Sequence, residues 1–131
     1  MKGSLVVITG GNSGLGLVLV KLFKKAHKVL VIARNKRTEF KDVFYEYGSV
    51  SDENFLKEVY AKYSKNFNVK FLINNAAVGC FGAPEENDYQ KIKKVLDGSL
   101  VGLMLNTAYA LPLIKTNGGG RKSLIFSQQR L

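Results

Sequence analysis

Five short apolar runs are spaced along the chain, separated by stretches in which apolar positions recur every three or four residues. Residues 4–9 are the first run, rich in β-branched side chains and ending at glycines; its lack of polar alternation predicts a strand buried on both faces of a parallel sheet. Residues 15–26 follow with Leu15, Leu19, Leu22, Phe23 and Ala26 at helical spacing, and lysines gather in the last turns, where they complement the helix dipole. Residues 29–33 predict a second buried strand. The polar stretch 35–41 is too short for a helix, so an abbreviated connection leads to a third strand at 43–47. Ser51 is the expected N-cap of a helix striped by Phe55, Val59 and Tyr63 that ends near Phe67, ahead of a fourth strand at 69–73. Small residues make 74–84 a loop, and residues 85–87 supply an acidic first turn to a long helix running to about Leu111. The glycines at 118–120 form a turn before a fifth short strand at 123–127.

Strands alternating with helices imply right-handed crossovers. The expected fold is α/β: a Rossmann-like, doubly wound parallel sheet of about five strands forming one domain over residues 1–131. Such sheets bind ligands beyond the carboxyl ends of their strands. Thr9 to Gly16, Arg34, Ser49 with Val50, residues 74–79, and Ser127 with Gln128 all fall at those ends and should converge on one crevice.

Charge adds a direction to this picture. The 20 Lys and Arg against 10 Asp and Glu give a formal net charge of +10, which favours anionic partners such as nucleotide phosphates. The cations are scattered through apolar-periodic segments such as Lys21, Lys24, Lys25 and Lys28, and neither a nucleic-acid motif nor an interleaved aromatic strip accompanies them, so no nucleic-acid partner is expected. One cysteine, Cys80, makes no internal disulfide, and one histidine, His27, cannot build a metal site alone; a cytoplasmic setting without a metal is expected, with Cys80 an inert thiol and His27 a cap for helix carbonyls. Residues 5–8 are broken by glycines and lack the pattern of a signal peptide, and the apolar stretch 95–114 contains Asp97, Asn106 and Pro112, so no membrane span is expected.

The segment TGGNSGLG places Gly10, Gly14 and Gly16 between the first strand and the first helix. Glycine there permits a tight turn, lets backbone approach a pyrophosphate and lets the helix pack close to the sheet, while free N–H groups at the helix N-terminus face the phosphates. Together with Asn74-Asn75-Ala76-Ala77 at the fourth strand, this turn resembles the short-chain dehydrogenases/reductases, whose segments read TGxxxGxG and NNAG; the likeness covers essentially the whole chain but only the first half of a typical member. The resemblance implies that Thr9, Gly10, Asn12, Ser13, Gly14, Leu15 and Gly16 line the cofactor's diphosphate and ribose path, that Asn75, Ala76 and Ala77 lie beside the cofactor, and that Asn74 braces the central strand. The end of the second strand decides between the two nicotinamide cofactors, since a carboxylate there binds the ribose diol and a basic group attracts a 2′-phosphate. Arg34, followed by Lys36 and Arg37, favours NADP(H), with NAD(H) the alternative.

Several positions depart from the family pattern. Ser49-Val50 stands where members carry Asp-Val against the adenine, leaving backbone contact through Val50. Ser99 occupies the usual place of an active-site Asn, and the catalytic Ser after the fifth strand corresponds to Ser127 or, in the commoner register, to Gln128. The family's Tyr-x-x-x-Lys pair normally follows that Ser by about a dozen residues. The one such spacing here, Tyr89 to Lys93, precedes the long helix and reads as a solvated helix face. Two readings follow. One is an NAD(P)(H)-dependent oxidoreductase that transfers hydride between nicotinamide and a small carbonyl or secondary alcohol. The other is a truncated, non-catalytic remnant that at most binds the dinucleotide. A strand edge left open beside the fifth strand also predicts self-association or a homo-oligomer.

Overall fold

The computed structural model describes residues 2–12, 14–76, 85, 88–116 and 123–124. Its strands are β1 (Gly3–Thr9), β2 (Lys28–Ala33), β3 (Phe44–Tyr47), β4 (Phe67–Asn74) and β5 (Ser123–Leu124). Its helices are α1 (Gly14–Phe23), α2 (Glu53–Ser64), α3 (Tyr89–Val95) and α4 (Gly102–Thr116), with a π-helical turn, Leu96–Val101, joining the last two. All strand pairs are parallel, in the order β3-β2-β1-β4-β5. The order reverses direction at β1, which lies between β2 and β4, and this is the switch point where such sheets open a crevice.

The uninterrupted apolar runs are explained by two separate cores. On β1, Leu5 and Val7 pack with Leu30 and Ile32 of β2 against Leu56, Val59 and Tyr60 of α2 and Ala110 and Ile114 of α4. Val6 and Ile8 face the other way and pack with Val29, Val31 and Ile73 against Val20 of α1. Both faces of each central strand are therefore dry, and Leu5 through Ile8 are completely buried. A strand with two apolar faces cannot show the alternation of a half-exposed one. The pairing of β1 with β4 skips one residue between Leu5 and Val6, so Lys70 is bulged out of register.

Several boundaries differ from the sequence expectation, and α1 ends at Phe23 rather than at Ala26. The N-cap of α2 is Asp52 rather than Ser51: the Asp52 carboxylate accepts from the Phe55 N–H at 3.2 Å, while the Ser51 hydroxyl pairs with that of Ser49 at 2.8 Å. Helix α2 stops at Ser64, and Phe67 opens β4 opposite Gly3, where its ring packs on Phe44. The long helix begins at Tyr89, capped by Asp88, whose carboxylate accepts from the Lys91 N–H at 2.9 Å; it passes through the π turn and continues beyond Pro112 to Thr116. Proline removes one helical donor. The last turn is nonetheless anchored by Ile114, completely buried, and by the Thr116 hydroxyl, which donates to the Pro112 carbonyl at 2.8 Å.

The buried stripe of α4 is Gly102, Asn106, Ala110 and Ile114, one residue per helical turn. Asn106 would be costly there without partners. It donates to the Gly102 carbonyl at 2.8 Å and accepts from the Tyr60 hydroxyl at 2.7 Å, and burial pushes that hydroxyl well above its ordinary pKa. His27 does not act as a cap through its ring: its Nδ1 lies 2.6 Å from the Ser4 hydroxyl and its edge rests on Phe71.

Candidate functional site

Gly10 and Gly14 have φ of +68° and +54°, the left-handed region that side chains disfavour, so the chain reverses between β1 and α1 at glycines. Gly16 is required for space. A Cβ there would sit 2.2 Å from the Gly10 carbonyl oxygen and 2.5 Å from Nδ2 of Asn75. The helix thus starts in direct contact with the turn. No acidic residue occupies the first turn of α1, so no carboxylate within that turn offsets the positive end of the helix dipole.

The turn is fixed to β4 through Thr9 and Asn75. The Thr9 hydroxyl, 2% exposed, accepts from the backbone N–H groups of both Asn75 and Ala76 at 3.0 Å. Asn75 Nδ2 donates to the Gly10 carbonyl at 3.0 Å. Its Oδ1 is buried and has no partner among the described residues. Asn74 braces the sheet as expected: its Nδ2 donates to Thr107 Oγ1 at 3.2 Å, tying β4 to α4.

The exit of β2 lies beside this turn. Gly10 N–H donates to the Ile32 carbonyl at 2.8 Å, Gly48 N–H to the Ala33 carbonyl at 2.9 Å, and Asn12 Nδ2 to the Asn35 carbonyl at 2.5 Å. Arg34, between these anchored residues, is exposed and has no hydrogen-bond or ion-pair partner among the described residues. The one carboxylate in the following loop before Asp42, Glu39, is engaged by the Tyr47 hydroxyl. Partial burial and that carboxylate hold the Tyr47 hydroxyl above its ordinary pKa. Asp42 in turn pairs with Lys24 at 3.3 Å, which holds its carboxyl below the usual range.

Beyond β3, Ser49 Oγ pairs with Ser51 and accepts from the Ser51 N–H at 3.2 Å, so this side chain is spent on the local turn. Val50 is buried, and a Cβ on Gly102 would lie 2.5 Å from its Cγ2: glycine at the head of α4 lets the helix close on the wall beside Val50. Ser99 is half-buried on the π turn, where Gly102 N–H reaches the Asp97 carbonyl. π turns recur at functional positions because they redirect one side chain without ending the helix. Tyr89 and Lys93 do not enter the crevice: Tyr89 is 71% exposed on α3 and Lys93 pairs with Asp97 at 2.8 Å.

Thr9, Gly10, Asn12, Gly14, Leu15, Gly16, Arg34, Ser49, Val50, Asn75 and Ala76 are thus gathered at the carboxyl ends of β1 to β4. Ser13, Ala77, Cys80, Ser127 and Gln128 lie outside the described residues. Asn35 and Gly48 were not marked by the sequence, because each acts through a backbone group. Two left-handed glycines, a third whose Cβ position is filled, a helix start without acidic residues and an uncommitted guanidinium thus meet at one end of the sheet, features that suit an anionic ligand. Among the described residues, no cluster of His, Cys, Asp or Glu could hold a metal and no helix is long and apolar enough to cross a membrane.

Comparison with known proteins agrees with this geometry. The family model for short chain dehydrogenase matches residues 4–128. A probable short-chain type dehydrogenase/reductase, VdlC of Helicobacter pylori, is 33% identical over 122 residues, covering 85% of this chain and 43% of that protein. An uncharacterized oxidoreductase of Thermotoga maritima is 27% identical over 132 residues, covering 92% of this chain and 52% of that one. The chain therefore spans about half the length of the curated relatives it matches. Among solved structures, the 3-ketoacyl-(acyl-carrier-protein) reductase of Brucella melitensis complexed with NADH superposes with a TM-score of 0.83 at 27% identity, covering 96% of this chain and 57% of that one. A short chain dehydrogenase of Leptospira borgpetersenii with bound NAD+ gives a TM-score of 0.82 at 22% identity, covering 97% and 51%, a likeness of fold.

Proposed function

This chain belongs to the short-chain dehydrogenase family, and from that premise we propose that it binds a nicotinamide dinucleotide in the β1–α1 crevice, preferring NADP(H), as the cofactor half of an oxidoreductase acting on a carbonyl or secondary alcohol. The observation that carries the reading is the glycine turn, in which the Cβ position of Gly16 is already filled by Gly10 and Asn75 and the first turn of α1 carries no acidic residue to repel a phosphate. Gly14, Leu15 and Gly16 at the head of α1 receive the diphosphate, while Asn75, Ala76 and Val50 border the ribose and base. The nicotinamide, when bound, supplies or accepts the hydride. The relatives named with NAD+ and NADH support the dinucleotide class. The preference for the phosphorylated form rests on Arg34, exposed and uncommitted, because a guanidinium offers paired donors to phosphate oxygens and no acceptor for a ribose diol. The lone cysteine, Cys80, suits a reducing, cytoplasmic setting.

Titration of NADPH and NADH against the protein and its Arg34→Glu variant tests this. The variant loses NADPH affinity by about tenfold or more while NADH affinity changes little, since a charged hydrogen bond to phosphate contributes about 1.5–3 kcal/mol. Equal losses for both cofactors remove Arg34 from the reading.

A second reading, for these 131 residues by themselves, is dinucleotide binding without turnover. The Tyr-x-x-x-Lys spacing within these 131 residues, Tyr89 to Lys93, lies on the exposed face of α3, with its lysine paired to Asp97. NADPH oxidation measured with a panel of aldehydes and ketones separates the two: turnover supports the enzyme, and saturable binding without turnover supports the binding module.

A further inference from the structure

The geometry points to Asn12 as a positioning residue for cofactor discrimination: its amide fixes the backbone that carries Arg34, so the glycine turn and the 2′-phosphate contact are one coupled unit. This rests on the NADP(H) preference proposed above.

The exit of β2 is anchored at three successive points. The carbonyls of Ile32 and Ala33 accept from Gly10 N–H and Gly48 N–H at 2.8 and 2.9 Å. Two residues on, the Asn35 carbonyl accepts from Asn12 Nδ2 at 2.5 Å. Without that last bond, the chain beyond Ala33 is free to swing, because the residues that follow, 34–39, are all exposed and only Glu39 is held, by Tyr47. With it, the Arg34 backbone is bracketed on both sides while its guanidinium stays uncommitted. A side chain of high rotamer entropy gains most from such an anchored base, since less freedom remains to be lost on binding.

The Asn12 bond also crosses between the two halves of the cofactor path. Asn12 belongs to the turn beneath the diphosphate, and Asn35 belongs to the loop beside the adenosine ribose. Its donor reaches a backbone carbonyl, so the bond is independent of the side chain at position 35. A role in plain phosphate binding would affect NADPH and NADH alike, because both carry the diphosphate. A role in placing Arg34 affects only the cofactor with the 2′-phosphate.

A double-mutant cycle separates these. NADPH and NADH dissociation constants are measured by fluorescence titration for the parent chain, Asn12→Ala, Arg34→Ala and the double variant, with thermal melts to verify folding. Asn12→Ala is expected to lower the NADPH-over-NADH preference about fivefold, the worth of one hydrogen bond, and to have no further effect on that preference in the Arg34→Ala background. Asn12→Gln, whose amide can still reach the loop, restores part of the preference. Independent, multiplying effects of the two substitutions, or an equal loss for both cofactors in Asn12→Ala, overturn the coupling. If Arg34→Ala itself leaves the preference unchanged, the NADP(H) reading fails instead, and the two failures are distinct. Should Asn12→Ala not fold, Asn12→Ser, whose hydroxyl is too short to reach the Asn35 carbonyl, takes its place in the cycle: a parental NADPH-over-NADH preference in Asn12→Ser, or multiplying effects with Arg34→Ala, overturns the proposal.

Discussion

Replacement of Gly16 by alanine tests whether the turn and the first helix are in true contact. The added Cβ would lie 2.2 Å from the Gly10 carbonyl oxygen and 2.5 Å from Asn75 Nδ2, so at least one of them must move by about 1 Å to reach ordinary contact. Neither moves freely. Gly10 is held by its N–H on the Ile32 carbonyl at 2.8 Å, and its own carbonyl accepts from Asn75 at 3.0 Å. Overpacking of this kind costs about 1–3 kcal/mol, and losing the Asn75 bond adds about 0.5–1.5 kcal/mol. Helix propensity opposes it, since alanine is better than glycine inside a helix by about 1 kcal/mol. The sterics win. The net loss is about 1–3 kcal/mol, a fall in Tm of about 4–12 °C for a chain of this size. Gly3→Ala is the matched control, because its Cβ would meet nothing nearer than a Phe67 ring carbon at 4.0 Å. Calorimetry and an NADPH titration on both variants give the answer: Gly16→Ala melts early and binds at least tenfold more weakly, while Gly3→Ala stays close to the parent. A Gly16→Ala protein that melts at or above the parental temperature and keeps its NADPH affinity refutes the close contact and the reading drawn from it.

Thr9→Val keeps the shape of the buried side chain but removes the acceptor for two backbone donors. Asn75 N–H retains the Ile73 carbonyl at 3.1 Å, and Ala76 N–H is left unpaired, so urea unfolding should report a loss of about 1–3 kcal/mol. Tyr60→Phe strands Asn106 Oδ1 in the α2–α4 core and should cost about 1–2 kcal/mol near neutral pH. The parent's alkaline limit carries a sign. Burial raises the Tyr60 hydroxyl above its ordinary value of 10.0, so the unfolded chain ionises first; this residue's contribution is fully present below about pH 10 and is lost as pH rises beyond it. Melting curves between about pH 9 and 11 should therefore fall less steeply for Tyr60→Phe than for the parent, and parallel slopes would remove Tyr60 from the alkaline transition.

The doubly wound sheet could be read from the chain because its strands are buried on both faces, and that state leaves a continuous apolar run such as Leu5 to Ile8. The glycine turn could be read for a related reason: its demands for left-handed φ and for space at Gly16 allow few other residues. Boundaries were harder where two polar residues compete for one role. Ser51 and Asp52 are both good caps, and only the pairing of Ser51 with Ser49 assigns the helix to Asp52. The π turn at Leu96–Val101 left no sequence mark, since a single extra residue in a helix changes periodicity by less than ordinary variation in an apolar stripe. Contacts between backbone and distant side chains, such as Asn12 to Asn35, carry no pattern at all.

The proposed NADP(H) preference asks more of so basic a chain than a general attraction for anions. The net charge of +10 raises the local concentration of any anion, and salt screens that attraction over about 8 Å at physiological ionic strength. Selection needs cations that are free and also fixed at their base. Lys24 is drawn off by Asp42 and Lys93 by Asp97, both at the surface, where such pairs contribute little to stability but do occupy the charge. Glu39, the acid nearest Arg34 in sequence, accepts from the Tyr47 hydroxyl and makes no ion pair with Arg34. Arg34 differs from the other surface cations in its place: its head group is uncommitted, and the backbone on either side of it is held by hydrogen bonds at Ala33 and Asn35. On the proposed reading, diphosphate binding at the helix end and 2′-phosphate binding at Arg34 would differ in kind: the first would use backbone geometry that glycine alone permits, the second a side chain that one substitution can reverse.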